Sequence, residues 1–362
     1  MVYVSLGSNR GDRMMYLQLA VGLIEYRIGK IKKIAPVVET PAWGFESSPF
    51  LNTCLALETI YSPTEVLDHL LAIETYLGRN RSAQEGYQAR TIDLDILFYG
   101  SEMINSQRLT LPHPRLELRQ FVLTPLSEIA PNFIHPVLKK TIKTLATNCP
   151  DTTQPIKHTT HLVLPKKKKF IAIEGNIGAG KTSFALALNK ALMGSLFSEN
   201  FKENPYLEKF YTDPRQYALL VEKAFLEERI QQYHTFFASS PKSPIVSDYH
   251  LHKSLLFAKQ NLSTKDFADY QSLYSDQIND CTTPDCIIFL NQSVLQLQQN
   301  IKDRGRSYEQ TIASTYLDNI ATAYEEWKKS SASAIVELNL KGVDFVQCPV
   351  QFLPLLAKLF RV

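Results

Sequence analysis

A glycine-rich turn between an apolar run and an amphipathic segment constrains the second half of this 362-residue chain. The run FIAIE, residues 170–174, is typical of a buried strand, and FALALNKAL, residues 184–192, is typical of a helix. The turn matches the spacing G-x-x-x-x-G-K-[ST] and has one additional glycine, which gives Gly175, Gly178, Gly180, Lys181 and Thr182. Backbone N–H groups in such a turn face one anion, and the N-terminus of the following helix adds positive charge. The segment therefore predicts a strand, loop and helix that bind a nucleoside triphosphate.

Side chains in and beyond this turn fit phosphoryl transfer. Lys181 would neutralise the β- and γ-phosphates, and the Thr182 hydroxyl would bind Mg²⁺. The stretch RGRSYE places Arg304 and Arg306 before a long helical segment, where they could cover a migrating phosphoryl group with positive charge. Glu199 follows the first helix and an expected second strand, where its carboxylate could accept the proton of an attacking hydroxyl. The sequence contains no guanine-reading NKxD stretch, which argues against a GTPase.

Length and composition indicate two domains in an ordinary globular protein. The chain is longer than most single cores, and its net charge of +3 is too balanced to favour nucleic acid or an anionic membrane. Its five scattered cysteines lack the partners of a zinc site and fit reduced thiols. The sequence shows neither a secretory signal pattern nor an apolar run of membrane length. We therefore expect a cytoplasmic protein with small-molecule substrates and neither nucleic-acid nor membrane partners.

The texture of the sequence changes between the two expected domains. The stretch CPDTTQPIKHTTHLVLPKKKK is rich in Thr, Pro and Lys and has no amphipathic period. We therefore predict a first domain over residues 1–148, a linker over 149–168 and a second domain over 169–362. The lysines at 166–169 leave nucleic-acid or lipid contact open, although a block this short is more typical of a solvated linker end.

The first domain contains a strand with two charged residues on one face. Strand-like and helix-like segments interleave over residues 1–148 without βαβ repetition, which predicts an α+β domain with antiparallel strands. In ARTIDLDILFYG, alternation places Asp93 and Asp95 on one face and Ile92 and Leu94 on the other. Paired carboxylates repel each other unless a shared proton, an arginine or a divalent metal lies between them.

Basic residues around this pair favour a polyphosphate ligand. Oxygens of two carboxylates on one strand face can converge on Mg²⁺, as phosphoryl-transfer sites require. The arginines of this region are Arg79, Arg81, Arg90, Arg108, Arg115 and Arg119. Arginines beside acidic metal ligands indicate polyphosphate binding here, because the domain has no long basic stripe of the kind that binds nucleic acid.

Five stretches of the first domain occur in a characteristic order. They are GSN, TPAWGF, FLN, RTIDLDILFYG and LPHPR followed by RQF. In this order and spacing they resemble the 6-hydroxymethyl-7,8-dihydropterin pyrophosphokinase family of folate synthesis, over residues 1–148. The resemblance implies a ferredoxin-like α+β fold and transfer of the β,γ-pyrophosphoryl group of ATP to the hydroxymethyl group of the pterin.

The same resemblance assigns roles to individual residues. It implies that Asp93 and Asp95 bind two Mg²⁺ ions that bridge ATP and the attacking hydroxyl. The pterin ring would lie between two phenylalanines, with polar groups at its edge: Phe50, Phe121, Asn52, Thr40 and Pro41. The ATP and phosphate path would be lined by Glu74, Arg79, Arg81, Arg90, Arg108, His113 and Arg119, of which Arg79 and Arg90 are candidate catalytic residues. Phe50 stands where other members have tyrosine, so the stacking remains and a hydroxyl is lost.

The second domain resembles another family. GNIGAGKT, ENPYLEKFYTDP, FLEERIQQY, VSDYHLHKSLLFA and RGRSYEQTI resemble, in this order, the deoxynucleoside kinase family over residues 169–340. The resemblance implies an α/β P-loop kinase fold, with a parallel sheet and flanking helices, that phosphorylates the 5′-hydroxyl of a deoxynucleoside with ATP. It also implies one Mg²⁺ at Thr182 and Asp248, and a homodimer formed by this domain. The remaining roles would be a general base, two residues near the 3′-hydroxyl and two lid arginines: Glu199, Tyr211, Glu309, Arg304 and Arg306.

Two positions depart from the pattern of that family. Glu222 stands where a glutamine usually pairs with the base, and a carboxylate offers acceptors only, unless it is protonated. Tyr249 stands where an arginine usually follows the acidic residue, here Asp248. We expect a purine deoxynucleoside as substrate. An alternative is a catalytically silent ATP-binding module that regulates or dimerises the first domain.

Overall fold

The structure, a computed structural model, describes residues 1–79, 88–200 and 204–362. These residues form two compact units. Unit 1 comprises Met1–Lys167 together with Leu353–Val362, and unit 2 comprises Lys168–Phe352. The sequence placed residues 353–362 in the second domain, whereas in the structure they group with unit 1.

Unit 1 is an α+β unit whose strands and helices interleave. Its strands are β1 (Val2–Ser8), β2 (Lys30–Ile34), β3 (Val38–Thr40), β4 (Phe50–Glu58), β5 (Asp93–Tyr99), β6 (Ile104–Asn105), β7 (Thr110–Leu111) and β8 (Ile156–Lys157). Its helices are α1 (Arg13–Arg27), α2 (Pro63–Tyr76), α3 (Gln120–Ile129) and α4 (Ile142–Thr147), with a 3₁₀ turn at Leu116–Leu118. Helix α2 begins with a capping box in which the Ser62 side chain accepts from the Glu65 N–H and the Glu65 side chain accepts from the Ser62 N–H.

The main sheet of unit 1 is antiparallel, as the sequence predicted. Its order is β5-β1-β4-β3-β8, and β2 also pairs with β4. Helices α3 and α4 pack on this sheet through an apolar cluster that includes Cys54, Phe98 and Leu126. The predicted linker is partly ordered against the unit, because Ile156 and Lys157 form β8 and the Val163 backbone exchanges two hydrogen bonds with the Gln18 side chain.

The last residues of the chain fill a notch on α1. The Phe360 ring is 3 % exposed and stacks on Tyr26 with 5.9 Å between ring centroids. A Cβ atom on Gly22 would lie 2.0 Å from the Phe360 ring, so only glycine leaves room for it. This close apolar packing is the physical reason why residues 353–362 belong to unit 1 and not to unit 2.

Unit 2 is an α/β unit. Its strands are β9 (Phe170–Gly175), β10 (Ser195–Phe197), β11 (Ile245–Ser247), β12 (Cys286–Asn291) and β13 (Ala334–Asn339). Its helices are α5 (Lys181–Leu192), α6 (Leu207–Thr212), α7 (Pro214–Ala238), α8 (Lys253–Asn261), α9 (Thr264–Ile278), α10 (Val294–Arg304) and α11 (Ser314–Ser330). Two 3₁₀ turns lie at Ser307–Glu309 and Pro349–Gln351, and α12 (Phe352–Leu359) begins at the last residue of the unit.

The sheet of unit 2 is parallel throughout its described pairings, in the order β10-β11-β9-β12-β13. The central strand β9 is buried along its whole length and ends at the glycine-rich turn, after which α5 begins at Lys181. This is the strand, loop and helix that the sequence predicted. None of the helices in the described ranges is long and apolar enough to cross a membrane.

Candidate active sites

In unit 1 the two aspartates lie side by side on β5. Ile92, Leu94 and Ile96 are each at most 3 % exposed, so the predicted alternation of the strand is confirmed. Strand β5 pairs with β1, which places Asp93 opposite Gly7 and Asp95 opposite Ser5. Both carboxylates therefore stand on one face of the sheet and line a cavity.

Arginine side chains bind the first of these aspartates. The Arg79 guanidinium donates to both Glu74 and Asp93, and Arg90 Nη1 donates to Asp93 Oδ2 at 2.8 Å. Glu74 is 2 % exposed and also accepts from the Leu94 N–H at 2.8 Å, so this buried carboxylate connects Arg79 to the backbone of β5. Both carboxylate oxygens of Asp93 thus face guanidinium groups.

The second aspartate has a different environment. Burial, followed by the charges of Asp93 and Glu74, raises the pKa of the Asp95 carboxyl well above its usual range. Within the described residues, His113 Nε2 lies 3.9 Å from Asp95 Oδ2. Burial and the charge of Arg119 lower the pKa of His113 to about 4, so this imidazole is neutral at physiological pH.

Aromatic rings and a small polar group complete the cavity of unit 1. The Arg119 guanidinium lies 5.1 Å from the centre of the Trp43 ring and 5.7 Å from that of Phe121. Asn52 donates through Nδ2 to Thr40 Oγ1 at 2.9 Å. A flat ring between aromatic side chains, with hydrogen-bonding groups at its edge, fits this shape.

Most predicted residues of the first domain meet in this cavity. Those that line it are Thr40, Pro41, Phe50, Asn52, Arg90, Asp93, Asp95, His113, Arg119 and Phe121. Glu74 and Arg79 lie behind Asp93, whereas Arg108 is exposed and pairs with Asp68, away from the cavity lining. Arg81 lies outside the described residues. Sequence reasoning missed Ser5 and Thr53, which also line the cavity and carry no charge or motif that would have singled them out.

The donor set of unit 1 fits Mg²⁺ with few protein ligands. The Asp93 and Asp95 side chains are 25 % and 41 % exposed, and both supply hard oxygen atoms. Over the described ranges, no three or more His, Cys, Asp and Glu side chains gather into a metal centre. Magnesium is commonly held by one or two carboxylates, with phosphate and water oxygens as its other ligands, and the pair can supply that share.

In unit 2 the glycine-rich turn has the conformation that its sequence predicts. Gly178 and Gly180 have φ angles of +80° and +87°, which residues with a Cβ adopt only under strain. Lys181 Nζ donates to the carbonyl oxygens of Gly175 and Asn176, both at 2.8 Å. Gly178, Gly180, Lys181 and Thr182 also line a neighbouring groove with residues of α10 and the segment after β13.

Thr182 and Asp248 connect this turn to the general-base candidate. The Thr182 hydroxyl donates to Asp248 Oδ2 at 2.7 Å, and the Glu199 N–H donates to Asp248 Oδ1 at 2.8 Å. The two residues that the sequence predicted as magnesium ligands are therefore in contact with each other, and they provide a hydroxyl and a carboxylate oxygen suited to that ion.

Two cations hold the Glu199 carboxylate. Arg229 of α7 donates to Oε1 through Nε at 2.9 Å and Nη2 at 2.6 Å, and Lys253 Nζ of α8 lies 2.6 Å from Oε2. Burial alone would raise the pKa of Glu199, but the charges of Lys253 and Arg229 hold it far below its usual range. Glu199 is therefore ionised at physiological pH. Sequence reasoning missed both cations, although a buried-face arginine in FLEERIQQY was a usable signal.

The two arginines predicted to form the lid pair with Glu309, which was predicted to bind the substrate. Arg304 Nη2 pairs with Glu309 Oε2, and Arg306 Nη1 lies 3.1 Å from Glu309 Oε1. Glu309 is 5 % exposed, and Tyr211 stacks on Tyr308 next to it with 5.7 Å between ring centroids. These contacts bring the residues expected near the sugar and the migrating phosphoryl group into one place.

The second cavity therefore gathers most of the remaining predicted residues. Those that line it are Gly178, Lys181, Thr182, Glu199, Tyr211, Glu222, Asp248, Arg304, Arg306 and Glu309. Gly175 lies beneath the turn, and Gly180 lies in the neighbouring groove. Tyr249, in place of the expected arginine, is 1 % exposed and packs on Phe197 outside the cavity lining. Further lining residues that the sequence analysis did not select include Phe225, Asn261 and Tyr316.

Comparisons with known proteins agree with the division into two sites. The 7,8-dihydro-6-hydroxymethylpterin-pyrophosphokinase (HPPK) family matches residues 3–131, and the deoxynucleoside kinase family matches residues 171–354. The chain is 43 % identical over 143 residues to the 2-amino-4-hydroxy-6-hydroxymethyldihydropteridine pyrophosphokinase of Aquifex aeolicus (strain VF5), which covers 39 % of this chain and 88 % of that protein. It is 34 % identical over 177 residues to the deoxyguanosine kinase of Bacillus subtilis (strain 168), which covers 48 % of this chain and 86 % of that protein.

A solved structure also matches the second half. The deoxyadenosine kinase from M. mycoides with bound dCTP is 26 % identical, with a TM-score of 0.47, over 53 % of this chain and 100 % of that one. Kinases of the two matching families use ATP, typically with Mg²⁺. The chain thus belongs to both families and is a fused bifunctional kinase, with a pyrophosphokinase of folate synthesis at residues 3–131 and a deoxynucleoside kinase at residues 171–354.

Proposed function

We propose that unit 1 transfers the β,γ-pyrophosphoryl group of ATP to the hydroxymethyl group of 6-hydroxymethyl-7,8-dihydropterin. The observation that carries this proposal is the aromatic cavity with Asp93 and Asp95 on its wall. Phe50 and Phe121 stack on the pterin, while Asn52 and Thr40 bind its polar edge. The antiparallel sheet and helices of unit 1 support the ferredoxin-like fold that the resemblance implies, with β8 and residues 353–362 as additions to the predicted domain of residues 1–148.

Charge neutralisation is the main task of the unit 1 side chains. Asp93 and Asp95 would hold two Mg²⁺ ions, which would supply Lewis-acid chemistry at the attacking hydroxyl and the polyphosphate. Arg79 and Arg90 leave Asp93 for the phosphate oxygens as the nucleotide binds, because guanidinium groups bind phosphate in the same two-point manner as carboxylate. Arg119 and neutral His113 then line the phosphate path.

For unit 2 the proposal is phosphorylation of the 5′-hydroxyl of a purine deoxynucleoside by ATP. It rests on the ionised Glu199 carboxylate beside Thr182 and Asp248. Glu199 accepts the proton of the hydroxyl, Lys181 stabilises the β- and γ-phosphates, and Thr182 and Asp248 would hold one Mg²⁺. Tyr211 and Glu309 bind the 3′-hydroxyl, which releases Arg304 and Arg306 from Glu309 towards the migrating group. The Bacillus subtilis relative is named for one purine deoxynucleoside, deoxyguanosine, which supports the purine class; the choice between the purines depends on the residues of this chain that face the base.

One experiment tests both proposals. The full-length protein is incubated with ATP and Mg²⁺, either with hydroxymethyldihydropterin or with each of the four deoxynucleosides. We expect AMP release with the pterin and ADP release with a purine deoxynucleoside. An absence of ADP release across the whole panel, with AMP release intact, would instead support the regulatory module. Sedimentation of the protein tests the remaining proposal of a homodimer formed through unit 2.

A further inference from the structure

Glu222 has a defined orientation in the wall of the second cavity. It lies on α7 and is 3 % exposed. Its Oε1 accepts a hydrogen bond from Asn261 Nδ2 at 2.7 Å, and Asn261 Oδ1 accepts from the Tyr316 hydroxyl at 2.9 Å. Because Tyr316 donates to the amide oxygen, the amide nitrogen points at Glu222. Oε1 of Glu222 is therefore an acceptor.

The other oxygen of Glu222 has no such partner. Within the described ranges, Oε2 is buried and makes no hydrogen bond. The two nearby cations are engaged elsewhere, since Arg229 binds Glu199 and Ser254, and Lys253 binds Glu199. An oxygen that is buried without a partner in a ligand cavity is available for a ligand, because an unpaired buried polar atom is unfavourable.

The protonation state of Glu222 decides what Oε2 can offer. An ionised carboxylate with one hydrogen bond in a buried wall is disfavoured relative to the neutral acid. Burial raises the pKa of Glu222 to about 7, although the hydrogen bond from Asn261 and the charges of Arg229 and Lys253 lower it. A base that covers Oε2 removes further water and favours the neutral form. The polar groups that face Glu222 from the surrounding elements are Asn261, Arg229, Lys253, Glu199, Tyr270 and Tyr316.

We infer that Glu222 recognises the base of the nucleoside as a neutral carboxylic acid, with Oε2–H as donor and Oε1 as acceptor. The inference rests on the proposed function of unit 2 and deepens it. The neutral acid presents the same donor and acceptor pair as the glutamine amide that is usual at this position. It matches a base edge on which a ring nitrogen acceptor adjoins an exocyclic amino group. Adenine and cytosine have that edge, whereas guanine and thymine present a ring N–H that would oppose Oε2–H.

A competition of bases across pH tests this assignment in the full-length protein. We expect a higher kcat/KM for deoxyadenosine or deoxycytidine than for deoxyguanosine or thymidine at pH 6. Since the neutral acid is lost as pH rises through the pKa of the free enzyme, the ratio of kcat/KM for the preferred nucleoside to that for deoxyguanosine should fall towards pH 8.5. The limiting slope is about tenfold per pH unit above the pKa. Which of deoxyadenosine and deoxycytidine is preferred separates the two bases.

The variant Glu222→Gln has a permanent amide and no titration. It should keep the preference at pH 6 and lose the dependence of the ratio on pH. Glu227→Gln, the same substitution on an exposed position of α7, should behave like the unchanged protein. Thermal unfolding of each variant, compared with that of the unchanged protein, monitors folding of unit 2.

Two results would overturn the assignment. A preference for deoxyguanosine or thymidine at pH 6 would show that Oε2 is not a donor. The same slope in Glu222→Gln as in the unchanged protein would place the titration elsewhere. If no deoxynucleoside is phosphorylated at any pH while ATP still binds, the proposed function of unit 2 itself fails, and the assignment fails with it.

Discussion

The two candidate carboxylate centres of this protein balance their charge in opposite ways. In unit 1, two aspartates share one strand face. Within the described residues, Arg79 and Arg90 bind Asp93, while the neutral His113 lies beside Asp95. In unit 2, a single Glu199 is held by Arg229 and Lys253 and stays ionised. If Asp93 and Asp95 hold Mg²⁺ as proposed, the first centre receives its balancing cations with the nucleotide, whereas Arg229 and Lys253 of the chain itself balance the second. Because both activities occur on one chain, each serves as the control for variants of the other.

The largest expected effect is that of Asp95→Ala. Loss of this carboxylate removes a magnesium ligand and several kcal/mol of charge stabilisation, so pyrophosphoryl transfer should fall about ten-thousandfold. Deoxynucleoside phosphorylation should be unchanged. The measurement is AMP release with saturating pterin, and a turnover near that of the unchanged protein would contradict the two-metal assignment.

Next in size is the effect of Glu199→Gln on unit 2. The amide cannot accept the proton of the attacking hydroxyl, so kcat for the deoxynucleoside should fall about a thousandfold, within the usual range for a general base. ADP release measures this loss, and AMP release with the pterin is the control. A loss below about tenfold would mean that the attacking 5′-hydroxyl of the nucleoside needs no side-chain base.

Variants of Lys253 ask whether the internal charge balance of unit 2 is needed. Lys253→Met leaves Glu199 with Arg229 alone. We expect kcat to fall about tenfold, because one charged hydrogen bond to Glu199 is lost, with little change in KM. Lys253→Arg should restore most of kcat because it keeps the charge. Two results would show that Lys253 does not position the general base Glu199. One is a lower affinity for the nucleoside with unchanged kcat in Lys253→Met, and the other is a failure of Lys253→Arg to restore kcat.

The smallest expected effect concerns stability and separates the two units. Ser62→Ala removes the capping box of α2 and should cost unit 1 about 1 kcal/mol. The matched variant Ser263→Ala removes the N-cap of α9 and should destabilise unit 2 by a similar amount. Heat inactivation of each activity measures the effect. Equal loss of both activities in both variants would show that the units unfold together.

Local sequence patterns predicted the parts of both sites that local geometry controls. Asp93 and Asp95 share a face because side chains alternate on any strand, and the turn at Gly178 follows from glycine spacing. The order of the motifs also predicted that Phe50 and Phe121 line one cavity, and both do. These predictions needed only the period of a strand, the conformational range of glycine and the resemblance to known families.

Contacts between distant elements were beyond the reach of the sequence. Arg229 and Lys253 lie on separate helices and meet at Glu199 only because α7 and α8 pack together. Arg108, which the sequence predicted in the ATP path, is exposed and pairs with Asp68. Nothing in the sequence distinguishes it from the arginines that reach the cavity. The segment described as a linker contains β8, because an edge strand can be extended by any nearby segment with compatible backbone groups.

The position of Phe360 has a consequence for biosynthesis. Unit 1 is discontinuous along the chain, since residues 353–362 are translated after the whole of unit 2. During synthesis the apolar notch at Gly22 stays unfilled while the intervening residues emerge from the ribosome. The packing of Phe360 on α1 therefore forms only after all of unit 2 has been synthesised.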